Sequence, residues 1–334
     1  MSAINSSVTT SVDPVLLKVP FQLNIWLGLF IFITGNISTI GNFTVFTSRM
    51  FRNRACSIYL IAESICTFIY FDFVLVTRLI QKGFNYPIIN LYDPICKVRQ
   101  FFSEYTHQVA FTLFALATID RILSTHRDVA YRRWSNRKTL AYKIIPTVVF
   151  SWFICVWHRL YFYNITSGSC NPTPGIYEKI DSYFEVVMSG FVPPILLITL
   201  GCLLLRNVRG VVHRRIVPAG VVSQPINTNL SHIQQIDSQL TAMILLQSFV
   251  AIPSFIPFGA QNLYTSLSRG WYKTPLRLAW EDVIIETIRL FSYLFYSTSF
   301  YVSLYSSRGF RKQVLHSLRI KKYKSQPHIT TTYQ

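Results

Sequence analysis

CKVRQFFSEYTHQVAFTLFALATIDR, residues Cys96 to Arg121, decides the fold: a cysteine, a largely apolar run of helix length carrying Glu104 and His107, and an Asp-Arg pair before a basic loop. At about 100° per residue, Cys96, His107, Phe111, Phe114, Thr118 and Arg121 fall on one side of a helix, with Glu104 close by. In hydrocarbon a charged side chain costs roughly 2.5–3.5 kcal/mol on insertion scales, so Glu104 and His107 are expected to face protein or a water-filled cavity. This helix therefore belongs inside a bundle, and both residues are candidates for a pocket.

The whole chain agrees with a membrane setting. Its 334 residues are 51% hydrophobic and only 14% charged, where soluble globular proteins carry about 25% charged residues. A net charge of +18 raises nucleic acid as a partner, but the bases sit in short segments between apolar runs, as topology signals do, and no nucleic-acid partner is expected. Besides the central helix, apolar runs extend over about 21–47, 57–79, 139–162, 182–205, 238–264 and 280–304. Each can cross a roughly 30 Å hydrocarbon core at 1.5 Å per residue. Segments on one side of these seven runs hold most of the 32 Lys and Arg but only Asp120, Asp128 and Asp237 of the 14 acids. That asymmetry puts the N-terminus outside and the C-terminus inside. Residues 1–20 lack a signal-peptide pattern and read as an extracellular tail with a glycosylation sequon at Asn5. Residues 21–305 are the bundle. Residues 306–322, with Phe310, Val314, Leu315 and Leu318 among Arg, Lys and His, fit an amphipathic helix on the anionic lipids of the inner leaflet, and 323–334 a cytoplasmic tail. A second sequon, Asn164-Ile165-Thr166, lies near Cys170 in an outside loop.

Several short patterns recur in a familiar order: Gly41-Asn42 in the first run, Leu60-Ile61-Ala62-Glu63 in the second, Cys96 and Asp120-Arg121-Ile122 around the third, Trp152 in the fourth, Pro193-Pro194 in the fifth and Pro253 in the sixth. Together they resemble the rhodopsin-like (class A) family of G protein-coupled receptors, over roughly residues 20 to 320. The resemblance implies an all-α seven-transmembrane helix bundle in the plasma membrane and a disulfide between Cys96 and Cys170. It implies a bundle network through Asn42, Glu63, Trp152, Pro253 and Ser299, and coupling to a heterotrimeric G protein through Asp120 and Arg121. The chain also departs from the family pattern. Glu63 stands in place of Asp, Ile122 in place of Tyr, Ala251 in place of the sixth-helix Trp, and Ser299-Phe300-Tyr301-Val302-Ser303 in place of Asn-Pro-x-x-Tyr. With Ala110 and Ser299 as partners a normal sodium site is not expected, and Glu63 is left as either a buried proton-linked switch or a hydrogen-bonded structural residue. The sixth-helix acid that would restrain Arg121 is missing from its usual place. Ile233 lies near there and Asp237 a turn later, so weaker restraint is expected.

No enzyme is expected: there is no Gly-rich phosphate loop, no HExxH and no clustered Cys/His set, hence no metal and no cofactor. No lysine lies between Trp280 and Leu304, which disfavours a retinal Schiff base. Amine receptors of the family carry an Asp where this chain has Ser103, with Glu104 beside it, which disfavours an amine. Ser103, Glu104, His107, Glu286 and Arg289 are the candidate pocket residues, and their mixed charge favours an extracellular peptide ligand. The altered sixth and seventh helices leave a second reading, a seven-span protein that does not couple to G proteins: a decoy receptor, transporter or scaffold.

Overall fold

A computed structural model describes residues 13–135, 137–216, 228–268 and 270–324; Asn5, most of the 1–20 segment and nearly all of 323–334 lie outside these. The described chain is almost entirely helical. The long elements are α1 (Pro14–Phe46), α2 (Ala55–Gly83), α3 (Asp93–Thr125), α4 (Lys138–Phe162), α5 (Ile176–Gly210, continuing as helix to Ile216) and α6 (Thr228–Leu267). After them come α7, in two pieces (Pro275–Ser292 and Leu294–Ser306), and α8 (Arg308–Lys324). Five helices, α1, α2, α4, α5 and α6, are long and apolar enough to cross a membrane. The chain is a helical membrane protein.

α3 runs through the middle, packed against α2, α4, α5 and α6, while α7 closes the bundle between α6 and α1. Its buried side carries Phe101, His107, Phe111, Phe114, Thr118 and Arg121, the face that helical periodicity picks out. α1 and α4 are peripheral, and Trp26, Phe30, Ile33, Phe150 and Ile154 lie exposed on them, as lipid-facing residues do. Two polar contacts tie neighbours together: Asn42 donates to Ser299 Oγ at 3.0 Å between α1 and α7, and the Trp152 indole donates to Thr112 Oγ1 at 2.9 Å between α4 and α3.

Helix ends differ from the sequence boundaries for identifiable reasons. α1 starts at Pro14 rather than near residue 21, because Asp13 caps it by accepting from Val15 N at 2.8 Å and Pro14 supplies a preset φ. The 206–235 segment, between the fifth and sixth apolar runs, is helical at both ends. Arg, Leu and Asn can prolong a helix into water, and charge marks where a membrane ends rather than where a helix does. α7 breaks at Tyr293, whose ring stacks on Tyr70 with centroids 4.9 Å apart. α8 begins behind Ser307, whose hydroxyl accepts from Phe310 N at 3.1 Å. Phe310 is fully buried against Phe46, Phe51 and Phe300, whereas Leu315 and Leu318 remain exposed.

α2 and α5 contain π turns, at Tyr70–Leu75 and Leu79–Gly83 in the one and Val186–Phe191 in the other. In α5 the turn directly precedes Pro193 and Pro194, which cannot donate to the carbonyls of Ser189 and Gly190. There Gly190 and Gly259 let α5 and α6 touch backbone to backbone; a Cβ on Gly259 would stand 2.8 Å from the Gly190 carbonyl oxygen. Backbone cannot yield cheaply, so Gly259→Ala is expected to cost about 1–3 kcal/mol and lower the thermal unfolding midpoint. Gly201→Ala, which meets only Ser248 Cβ at 3.6 Å, should leave the midpoint unchanged; equal effects would show that the close approach is not a constraint.

Candidate functional site

At one end of the bundle a β-hairpin lies across the helices. β1 (Tyr163–Thr166) and β2 (Ser169–Pro172) pair antiparallel, with Thr166 opposite Ser169. The two linking residues, Ser167 and Gly168, both have positive φ, 53° and 73°, as a two-residue hairpin turn matching strand twist requires. Three ties hold the hairpin down. Cys170 is disulfide-bonded to Cys96 with Cα atoms 5.7 Å apart, Asn90 Oδ1 accepts from Cys170 N at 3.1 Å, and Asp93 Oδ1 accepts from Ile165 N at 3.1 Å. The bond spans 74 positions, which in the chain-entropy picture contributes on the order of 4 kcal/mol. Lys97 beside Asp93 holds that carboxyl below its ordinary range. Asn164 on β1 is partly exposed at the sequon.

Beneath the hairpin is a cavity of about 290 Å³ whose lining includes Ser103, Glu104, Arg159, Glu185, Arg289 and Tyr293. It adjoins a second of about 310 Å³ that reaches Lys82 and Asn90 and shares Arg78, Arg99 and Arg289 with the first. Each is near the lower end of the roughly 300–1,000 Å³ typical of small-ligand sites.

The walls are electrically divided. On the α4–α5 side the fully buried guanidinium of Arg159 is shared by Asp181 at 3.0 Å, Glu185 at 3.5 Å and Glu104 at 3.8 Å. Glu104 also accepts from Gln108 and Ser189, each at 2.7 Å, and Asp181 from the Tyr163 hydroxyl at 2.7 Å. Burial pushes the Tyr163 hydroxyl well above its ordinary pKa, so it stays a donor to Asp181. On the α2–α7 side Glu286 pairs with Arg78, with Lys82 at 3.5 Å and with Asn24 Nδ2 at 3.0 Å.

Of the candidate pocket residues, Ser103, Glu104 and Arg289 line the cavity. Glu286 is buried behind Arg78 as its counter-ion. His107 lies deeper, in an aromatic layer with Tyr70, Phe255 and Tyr296; the Tyr296 hydroxyl is 3.4 Å from its Nδ1, and its Nε2 has no partner. Phe255, one turn beyond Ala251, fills the centre of that layer, in contact with Phe111, Phe295 and Tyr296. Pro253 is on the exposed face of α6, away from the polar network, because Ala251 and Phe255 take the inward positions. Glu63 is buried, with no cation in ion-pair distance among the described residues. Arg78, Arg99, Arg159 and Glu185 were not among the candidates. A base inside an apolar run is the one signal that two of them, Arg78 and Arg159, left in the sequence.

At the opposite end, about 25 Å along α3 at 1.5 Å per residue, Arg121 is fully buried. Its guanidinium pairs with the neighbouring Asp120 and with Asp237 Oδ1 on α6 at 2.9 Å. Asp237 also approaches Arg54 Nε at 3.7 Å, and the Ser135 hydroxyl donates to Asp120 Oδ1 at 3.1 Å. The acid missing near Ile233 is thus supplied by Asp237. An acid one helical turn beyond the usual position still reaches Arg121, because an arginine side chain spans that distance.

No protein-family model matches the chain, and no curated protein matches it.

Proposed function

We propose that the chain is a plasma-membrane receptor of the rhodopsin-like kind, with seven spans, that binds an extracellular ligand under the hairpin and activates a heterotrimeric G protein at the Arg121 end. α3 and α7 complete the seven, and they are less apolar than the other five because their charges, Glu104 and Arg121 on one and Glu286 and Arg289 on the other, are turned into the bundle. The observation that carries this reading is the pairing of Arg121 on α3 with Asp237 on α6 in a bundle whose other end holds a roofed, charged cavity. Ligand contacts that differ between two packings of the bundle shift its equilibrium. Separation of α6 from α3 would break the Asp237 contact and open a basic cleft for the G protein. A peptide suits the cavity because one wall presents spare carboxylate and the other spare guanidinium. α8, with exposed Leu315 and Leu318 and flanking bases, would lie on anionic lipid of the inner leaflet.

The test is G protein recruitment in cells expressing the wild type or Arg121→Ala, challenged with pooled peptide extracts at matched surface expression. A ligand-dependent signal reduced at least tenfold in the variant is expected. Silence of both proteins would favour the second reading, a seven-span protein that does not couple, for which the double restraint on Arg121 is the structural argument.

A further inference from the structure

We infer that Arg99 and Arg289 form an oxyanion subsite beneath the hairpin, taking a free carboxylate such as the C-terminus of a peptide. The inference deepens the receptor reading and rests on it for the ligand's role, not for the binding itself. Besides Arg159, four cations, Arg78, Lys82, Arg99 and Arg289, border the two adjoining cavities. One acid serves them, and it is consumed: Glu286 offers Oε2 to Arg78 and Asn24 and Oε1 to Lys82. The acids of the opposite wall are gathered on Arg159. Arg99 and Arg289 are left with no carboxylate within ion-pair distance among the described residues. Arg99 reaches only the Gln100 side chain, at 3.4 Å, and its Nε is buried with no acceptor. Arg78 Nε is orphaned in the same way.

A buried donor without an acceptor is costly, and a guanidinium is the side chain best shaped to hold a carboxylate through two parallel hydrogen bonds. Both arginines line both cavities, so an anion between them touches each while the remainder of its molecule extends toward Glu104 and Glu185. The subsite therefore fixes polarity: acid end toward α3 and α7, basic end toward α4 and α5.

The full chain in nanodiscs of zwitterionic lipid is titrated with N-acetylphenylalanine, its amide, and inorganic phosphate at constant ionic strength, reading the thermal unfolding midpoint. The acid is expected to raise the midpoint saturably, with an apparent affinity at least tenfold above that of the amide. R99Q and R289Q should each weaken the acid about tenfold, while R277Q, whose guanidinium sits on Glu281 at 2.9 Å, responds as wild type. Phosphate acting in place of the acid would keep the subsite and assign it to a tetrahedral oxyanion. Equal effects of acid and amide, or an acid effect intact in the R99Q/R289Q double variant, would overturn it. Should the variants not fold, phenylglyoxal modification of Arg289 in the wild type gives the same decision. Protection by the acid but not the amide supports the subsite, and no protection overturns it. No readout involves a G protein, so anion binding with no recruitment would remove the coupling and leave the subsite.

Discussion

Replacing Arg159 with glutamine is expected to destabilise the protein by about 3–5 kcal/mol, the usual cost of stripping one partner from a buried ion pair. Arg159 and Asp181 are each 2% exposed, and Glu104 and Glu185 lean on the same guanidinium. Without it three carboxylates face one another under the hairpin, two of them buried. Neutral glutamine offers a single donor pair in place of the planar fork. The thermal unfolding midpoint and the fraction of protein reaching the cell surface should both fall sharply. Adding Asp181→Asn to Arg159→Gln removes one of the uncompensated charges and should restore part of the loss. A loss under 1 kcal/mol, or no recovery in the double variant, would mean that the cluster is wetter and less coupled than its geometry implies.

Asp237→Asn is expected to raise ligand-independent G protein recruitment about tenfold under the receptor reading. A hydrogen bond between charged groups contributes about 1.5–3 kcal/mol. The lower end applies because the Asp237 side chain is one-third exposed, and about 1.4 kcal/mol corresponds to tenfold in an equilibrium. The bond joins α3 to α6, so its loss falls on the closed packing alone. Asp120→Asn should act in the same direction, with Ser135 still held by the Asp120 backbone carbonyl at 3.0 Å. Basal recruitment unchanged in both variants at equal surface expression would remove this pairing from the resting restraint.

The central helix and its buried face could be read from the chain because a 3.6-residue period is a local pattern; the Cys96–Cys170 pair, 74 positions apart, came from the resemblance. Asn42 and Trp152 were singled out by the same resemblance, and each makes an interhelical hydrogen bond. The counter-ions were not. Arg78 and Arg159 fall in the last turns of apolar runs, where an isolated base has the same appearance as one extending its charge to a membrane surface. Burial alone separates the two cases. Glu286 looked like a pocket residue because sequence shows a carboxylate but not the arginine covering it. His107 was placed on the correct face yet a layer too high, since depth along a helix depends on neighbours from α2, α6 and α7. Phe255 could not be inferred at all: one helical turn from the position of interest, it fills the space left by Ala251.

The π turn at Tyr70–Leu75 gives α2 an unusual kind of freedom in descent. A π turn holds one residue more than the α-helical turn it replaces, so it marks a place where a single-codon insertion can be tolerated and a single-codon deletion reversed. Losing one residue there would return the turn to α-helical geometry and keep Glu63 below it and Arg78 and Lys82 above it in register. Lineages carrying this fold thus have a one-step route to reshaping the strip of α2 that carries Tyr70 and Phe71, with the charged wall around Glu286 left in place.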